Sequence, residues 1–204
     1  MAPQAAPAGR AGRGMSMATS VPGMPPMAAL VALVGAESTG KTTLAWQLAE
    51  HFGGLWVPEY LREFCDAHGR TPARNEQAHI LQSQAAREDA ARQRAQAQGL
   101  HWVFCDAPPL MTAVYSELVF GDTSLYAAAR HRHRRYALTL LLENDLPWQA
   151  DGLQRDGPQV REPVLALLER QLRGAIIADT LVRIGGQGAH RLRNAVQAVA
   201  SMAE

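Results

Sequence analysis

Only two cysteines, Cys65 and Cys105, occur in the 204 residues, and each lies in a segment that reads as regular structure. Neither a disulfide scaffold nor a four-cysteine zinc site is therefore available, and a reducing, cytoplasmic setting is expected. Long hydrophobic runs are also missing. The longest, Ala28 to Val34, falls far short of the ~20 residues that cross a bilayer, so no membrane span is expected. Nor is there an excess of charge. With a formal net charge of +1, no whole-chain field favours nucleic acid or an anionic membrane. The one basic cluster, His131-Arg132-His133-Arg134-Arg135, is short, lacks interleaved aromatics and reads as a solvated helix face. His131 and His133 are two apart and point to different sides of a helix, so they make no metal pair. No repeat recurs at a period of roughly 20–50 residues, which excludes solenoids and propellers.

What is present suits one globular unit. Apolar residues make up 47% and charged residues 19% of the chain, enough to bury a core, and the length fits one domain. Residues 1–27, rich in Ala, Gly and Pro and carrying Met15, Met17, Met24 and Met27, read as a disordered leader or a misplaced translation start. Residues 28–204 form the expected domain.

Apolar runs at 28–34, 55–57, 100–105, 138–142 and 181–184 read as buried strands. They alternate with helical patterns at 41–52, 59–68, 74–98, 108–120, 161–177 and 190–202, and with a further helical stretch after Gly121-Asp122. Such alternation predicts right-handed βαβ units: a three-layer α/β/α domain with a parallel sheet. The polar connection at 143–161 is long for a compact domain and is expected to act as a lid.

Gly35-Ala36-Glu37-Ser38-Thr39-Gly40-Lys41-Thr42 matches the phosphate-loop pattern G-x-x-x-x-G-K-[ST], directly after a strand and before a helix. The glycines allow successive backbone N–H groups, including those of Glu37, Ser38, Thr39 and Thr43, to face a phosphate at the positive helix end. Lys41 reaches the β- and γ-oxygens, and Thr42 offers its hydroxyl to Mg²⁺. ATP and Mg²⁺ are the cofactors this arrangement expects.

Strand ends near that loop deliver further candidates to the carboxyl edge of the sheet. Glu59 is placed to accept the proton of an attacking hydroxyl, with Tyr60 and Arg62 beside it to hold an acceptor. An ordinary acid at the start of a helix is the plainer reading. Asp106, ending the third strand, suits the acid that orients Mg²⁺ through water, or else a strand-capping aspartate. The base is Glu59 or Asp106. In the long connection, Arg155 and Arg161 flank a turn at Asp156-Gly157-Pro158 and can swing over the phosphates. Trp148 and Asp151 face the acceptor in this reading.

With GAESTGKTTLA, EYLREF, FCDAPPLMTAVYS and LLENDLPWQADGLQRDG in view, the chain resembles the ribosylnicotinamide kinase domain of the NadR type from about Val31 to Val199. The phosphate loop alone fits many enzymes; L-L-x-x-x-x-P-W-x-x-D-G-L is far more specific. The resemblance implies an ATP-dependent kinase that converts nicotinamide riboside to nicotinamide mononucleotide in NAD salvage. In its pattern, Lys41 and Thr42 belong to the phosphate loop, Glu59 and Arg62 to E-Y-x-R-E, and Asp106 is the strand-three acid. Trp148, Asp151 and Arg155 belong to the lid signature. Without adenylyltransferase and helix-turn-helix regions, a stand-alone kinase is expected.

Two positions depart from that family. Pro58, with Trp56 two residues earlier, stands where an aromatic precedes E-Y, and no tyrosine stands late on the helix before strand three. Another nucleoside is accordingly an alternative acceptor. So is a different class, an AAA-like nucleotide switch without kinase activity; the lack of an N-K-x-D guanine motif argues against GTP preference.

Overall fold

The structure, a computed structural model, describes residues 27–149, 157–175 and 180–202. The leader up to residue 26 lies outside the described residues, as do Asp151 and Arg155 of the expected lid.

All five expected strands form. In chain order the elements are β1 (Ala29–Val34), α1 (Lys41–Phe52), β2 (Leu55–Val57), α2 (Tyr60–His68), α3 (Gln77–Ala97), β3 (Trp102–Asp106), α4 (Pro109–Phe120), α5 (Tyr126–His133), β4 (Tyr136–Leu142), α6 (Arg161–Ala175), β5 (Leu181–Ile184) and α7 (Ala189–Ala200). The strands make one sheet in the order β2-β3-β1-β4-β5, and every neighbouring pair is parallel. β1 is central because its side chains are buried on both faces. Period-two alternation sends Val31 and Leu33 toward α1 and α7, and Leu30, Ala32 and Val34 toward the helices of the other side.

Register then decides where the chemistry falls. Leu33 pairs with Asp106 and Val34 with Leu141, so the ends of β1, β3 and β4 reach the same edge just before the phosphate loop. Ligand sites of open parallel sheets lie at that carboxyl edge.

Two readings need correction. The segment 74–98 is not one helix: Arg74–Glu76 forms a separate 3₁₀ turn, because the Glu76 carboxylate accepts the Ala73 N–H at 2.7 Å and draws the chain in. Nor is the basic cluster a purely solvated face. His133 is 1% exposed with Nε2 3.0 Å from the Thr139 hydroxyl, while Arg132 and Arg135 share Asp89 at 2.7 and 2.6 Å. His131 does remain exposed, as two-residue spacing on a helix requires.

Candidate active site

The phosphate loop joins β1 to α1 in a backbone shape that needs its glycines. Gly40 caps α1 at φ 82°, a left-handed conformation that costs glycine nothing. At Gly35 a Cβ would stand 2.9 Å from the Leu142 carbonyl oxygen and 3.0 Å from Thr39 Oγ1, so a side chain would push the loop off the end of β4. Ser38 also takes a positive φ of 57°. Two side chains brace the ring from within: Thr39 Oγ1 and Lys41 Nζ both donate to the Ala36 carbonyl, at 2.8 and 2.9 Å. The first part of the expected lid closes against this loop. The Ser38 hydroxyl donates to Gln149 O at 3.1 Å and accepts from Gln149 N–H at 3.2 Å. Arg161, at the start of α6, holds the Leu146 carbonyl at 2.9 Å.

Asp106 stands at the end of β3 with 1% exposure, and neither carboxylate oxygen has a hydrogen-bond partner among the described residues. Burial raises its pKa; the Lys41 ammonium, the Thr42 hydroxyl and the Arg62 guanidinium are near enough to pull it back partway. A buried, unsatisfied carboxylate facing a threonine hydroxyl and two cations is a donor set suited to a hydrated Mg²⁺ with phosphate oxygens. The residues fit that ion: Thr42 would hold it directly and Asp106 through water.

Glu59 caps the N-terminus of α2 in extended conformation, and Arg62 lies one turn on, its Nε 3.6 Å from a Glu59 carboxylate oxygen. Two cavities meet at this pair. One, of about 680 Å³, lies over the phosphate loop and is lined by Ser38, Gly40, Lys41, Thr42, Thr43, Leu146 and Gln149. The other, of about 140 Å³, runs between α2, α3 and α4, with Glu37 at its head and Met111, Tyr115, Phe120, Ile80 and Leu61 along its walls. Ser38, Lys41, Glu59 and Arg62 line both. A phosphate on the loop and a hydroxyl in the second cavity would approach each other across these four side chains.

Not every expected site residue faces these cavities. Tyr60 lies on the outer side of α2, its hydroxyl 3.1 Å from His79 Nε2 and its ring 4.6 Å from the Arg87 guanidinium, and it lines neither. Trp148 is half-buried and also lines neither. Trp56 packs in the core beneath α1. The aromatic surface missing before Glu59 is instead supplied from α4 by Tyr115 and Phe120.

Sequence reasoning missed those two, together with Gln77, Gln84 and Glu88, which are buried along α3 among Ile80, Leu81 and Ala85. The signal was available: residues 77, 80, 81, 84 and 88 fall on one helical face, and polar groups on a buried face require partners.

A glycine-bent loop between a central strand and a helix, with a buried acid on the neighbouring strand, defines a P-loop nucleotide-binding domain. The AAA domain family matches residues 30–188, and the chain belongs to it. It is 31% identical over 134 residues to the trifunctional NAD biosynthesis/regulator proteins NadR of Salmonella typhimurium and Escherichia coli. The match covers 64% of this chain and 32% of each relative, so the chain spans about a third of the curated relatives' length. Solved structures show the same fold. NadR in complex with NR superposes with a TM-score of 0.71 at 23% identity, covering 86% of this chain and 52% of that one. NadR in complex with NAD and AMP-PNP gives 0.69 at 24%, covering 86% and 49%. Deoxyadenosine kinase from M. mycoides gives 0.56 at 12%, covering 84% and 99%. No helix among the described residues is long and apolar enough to cross a membrane.

Proposed function

We propose that the chain transfers the γ-phosphoryl group of ATP to a hydroxyl of a nucleoside, nicotinamide riboside in the first instance, as a cytoplasmic kinase of NAD salvage. The observation that carries this reading is the shared wall of the two cavities, formed by Ser38, Lys41, Glu59 and Arg62. It gives a phosphate donor and a hydroxyl acceptor a common boundary. The relatives add weight: one NadR structure holds NR and another holds AMP-PNP.

In this mechanism the loop amides and Lys41 bind the triphosphate, and Lys41 exchanges the Ala36 carbonyl for phosphate oxygens. Thr42 directly and Asp106 through water would hold Mg²⁺, which would supply positive charge to offset that of the triphosphate. Glu59 orients the acceptor hydroxyl and accepts its proton, while Arg62 spans Glu59 and the transferring group. Arg155 is proposed to reach the phosphates from the lid, and Asp151 and Trp148 to border the acceptor when the lid closes. The apolar wall of Met111, Tyr115 and Phe120 suits a flat base rather than a polyol. Transfer is largely a matter of positioning.

The test is ADP release from Mg·ATP with and without nicotinamide riboside, followed by a panel of other nucleosides. Strong stimulation by nicotinamide riboside supports the proposal, and stimulation by a different nucleoside alone reassigns the acceptor. An unstimulated ATPase refutes kinase function.

A further inference from the structure

Behind the two carboxylates of the site lies a glutamine, Gln84 of α3, 2% exposed. Its amide joins three elements. Oε1 accepts the Tyr60 N–H at 2.8 Å; Nε2 donates to Glu88 Oε1 at 3.1 Å and to the Asp106 carbonyl at 3.4 Å. Each backbone bond has a local cause. Tyr60 is the first residue of α2, where amides have no intrahelical acceptor. β3 ends at Asp106 and the chain turns at Ala107, φ 53°, so the Asp106 carbonyl stands at the last position of the strand. An N–H only donates and a C=O only accepts, so the Gln84 amide has one possible orientation. Glu88 supports it, accepting from Gln84 with one oxygen while the other takes the Tyr136 hydroxyl.

We propose that Gln84 is a positioning residue for phosphoryl transfer: a single buried amide that fixes the backbone under Glu59 relative to the backbone under Asp106. The inference rests on the roles given to Glu59 and Asp106 above. It assigns to a residue that touches neither cavity the task of keeping the proton acceptor and the metal-orienting acid in register. A buried glutamine that only satisfied two backbone groups would affect stability when replaced. One that sets this spacing also affects turnover and the demand for Mg²⁺.

Gln84→Met, of similar volume but with no hydrogen-bonding amide, is the first test. Expected are a kcat lowered about tenfold, since small misplacements of reacting groups are costly, an ATP KM close to wild type, and a Mg²⁺ half-saturation for ATP binding raised several-fold. Gln84→Glu separates the two arms. It still accepts from Tyr60 N–H, and any proton it holds is shared with Glu88 beside it, leaving no donor for Asp106, so the Mg²⁺ shift should persist while the acceptor KM holds. Should the wild type phosphorylate no nucleoside, the functional reading fails, yet the Mg²⁺ half-saturation of ATP binding, read by calorimetry, still tests the positioning. If neither variant folds, hydrogen exchange on the unaltered protein tests the contact on which the positioning depends: the Tyr60 amide should be protected while Leu61, next in the same first turn, exchanges readily. Wild-type kcat and Mg²⁺ dependence in folded Gln84→Met, or equal exchange at Tyr60 and Leu61, would overturn the proposal.

Discussion

Glu88→Gln should stabilise the protein at alkaline pH and lose that advantage on acidification. The Glu88 carboxyl is 4% exposed and is met by the Tyr136 hydroxyl and the Gln84 amide, while nearby Arg135 is engaged by Asp89. Burial, which these bonds only partly offset, raises its pKa from 4.5 to about 7. The folded value exceeds the unfolded one, so the native state keeps a proton that the unfolded chain releases. The resulting penalty is fully present above pH 7 and fades as pH falls toward 4.5. A shift of this size corresponds to about 3 kcal/mol at pH 8 and under about 1 kcal/mol at pH 5. Glutamine keeps the acceptor for Gln84 and donates to the Tyr136 oxygen, so the variant should gain about 3 kcal/mol at pH 8, or roughly 6–12 °C in Tm for a chain of this length.

His133 works in the opposite sense. Burial lowers its pKa from 6.5 to about 4, so its stabilising neutrality is lost below pH 6.5, by about 2 kcal/mol at pH 5. As far as these two groups govern it, the wild-type stability between pH 7 and 5 should therefore be nearly flat, and that of Glu88→Gln should fall. Urea unfolding at pH 5, 6, 7 and 8 measures both curves. A variant less stable than wild type at pH 8, or a gap that does not narrow toward pH 5, would refute this reasoning.

Three further substitutions probe the site. Lys41→Ala should cut phosphoryl transfer by about 10²-fold or more, as loss of a preorganised charge on a transferring group does; turnover assays read this directly. Glu59→Gln should lower kcat by about 10²-fold, the low end of general-base contributions, with calorimetric Mg·ATP affinity largely intact. Asp106→Asn should abolish Mg²⁺-dependent turnover yet raise thermal stability at pH values where the wild-type carboxyl is ionised, because burial raises its pKa and so disfavours that charge in the folded state. Reduced stability of Asp106→Asn, measured without nucleotide, would contradict the last.

The parallel sheet and the phosphate loop were legible because they depend on local signals. The apolar strands are buried on both faces, and the loop's glycines answer to a Cβ clash at Gly35 and a left-handed backbone at Gly40 that favours glycine. Asp106 was legible for the same reason, at the end of a strand next to β1. The smaller cavity, between α2, α3 and α4, was less so. Its walls come from α2, α3 and α4, and which face of α4 turns inward depends on packing between elements far apart in sequence; Tyr115 and Phe120 thus went unread, and Tyr60 was given a place it does not take. Glutamine and glutamate are usually exposed, so nothing in their residue types marked Gln77, Gln84 and Glu88 as buried on α3. Only the folded structure supplies the Tyr60 N–H, the Asp106 carbonyl and the Tyr136 hydroxyl that let Gln84 and Glu88 be buried.

The central claim is that phosphoryl transfer crosses the wall made by Ser38, Lys41, Glu59 and Arg62, from the triphosphate cradle to the neighbouring cavity. Mass spectrometry after incubation with γ-labelled Mg·ATP and a nucleoside mixture follows that group most directly. The label should leave ATP in a nucleoside monophosphate, nicotinamide mononucleotide foremost. Label found solely in inorganic phosphate, or retained in ATP, would contradict the claim.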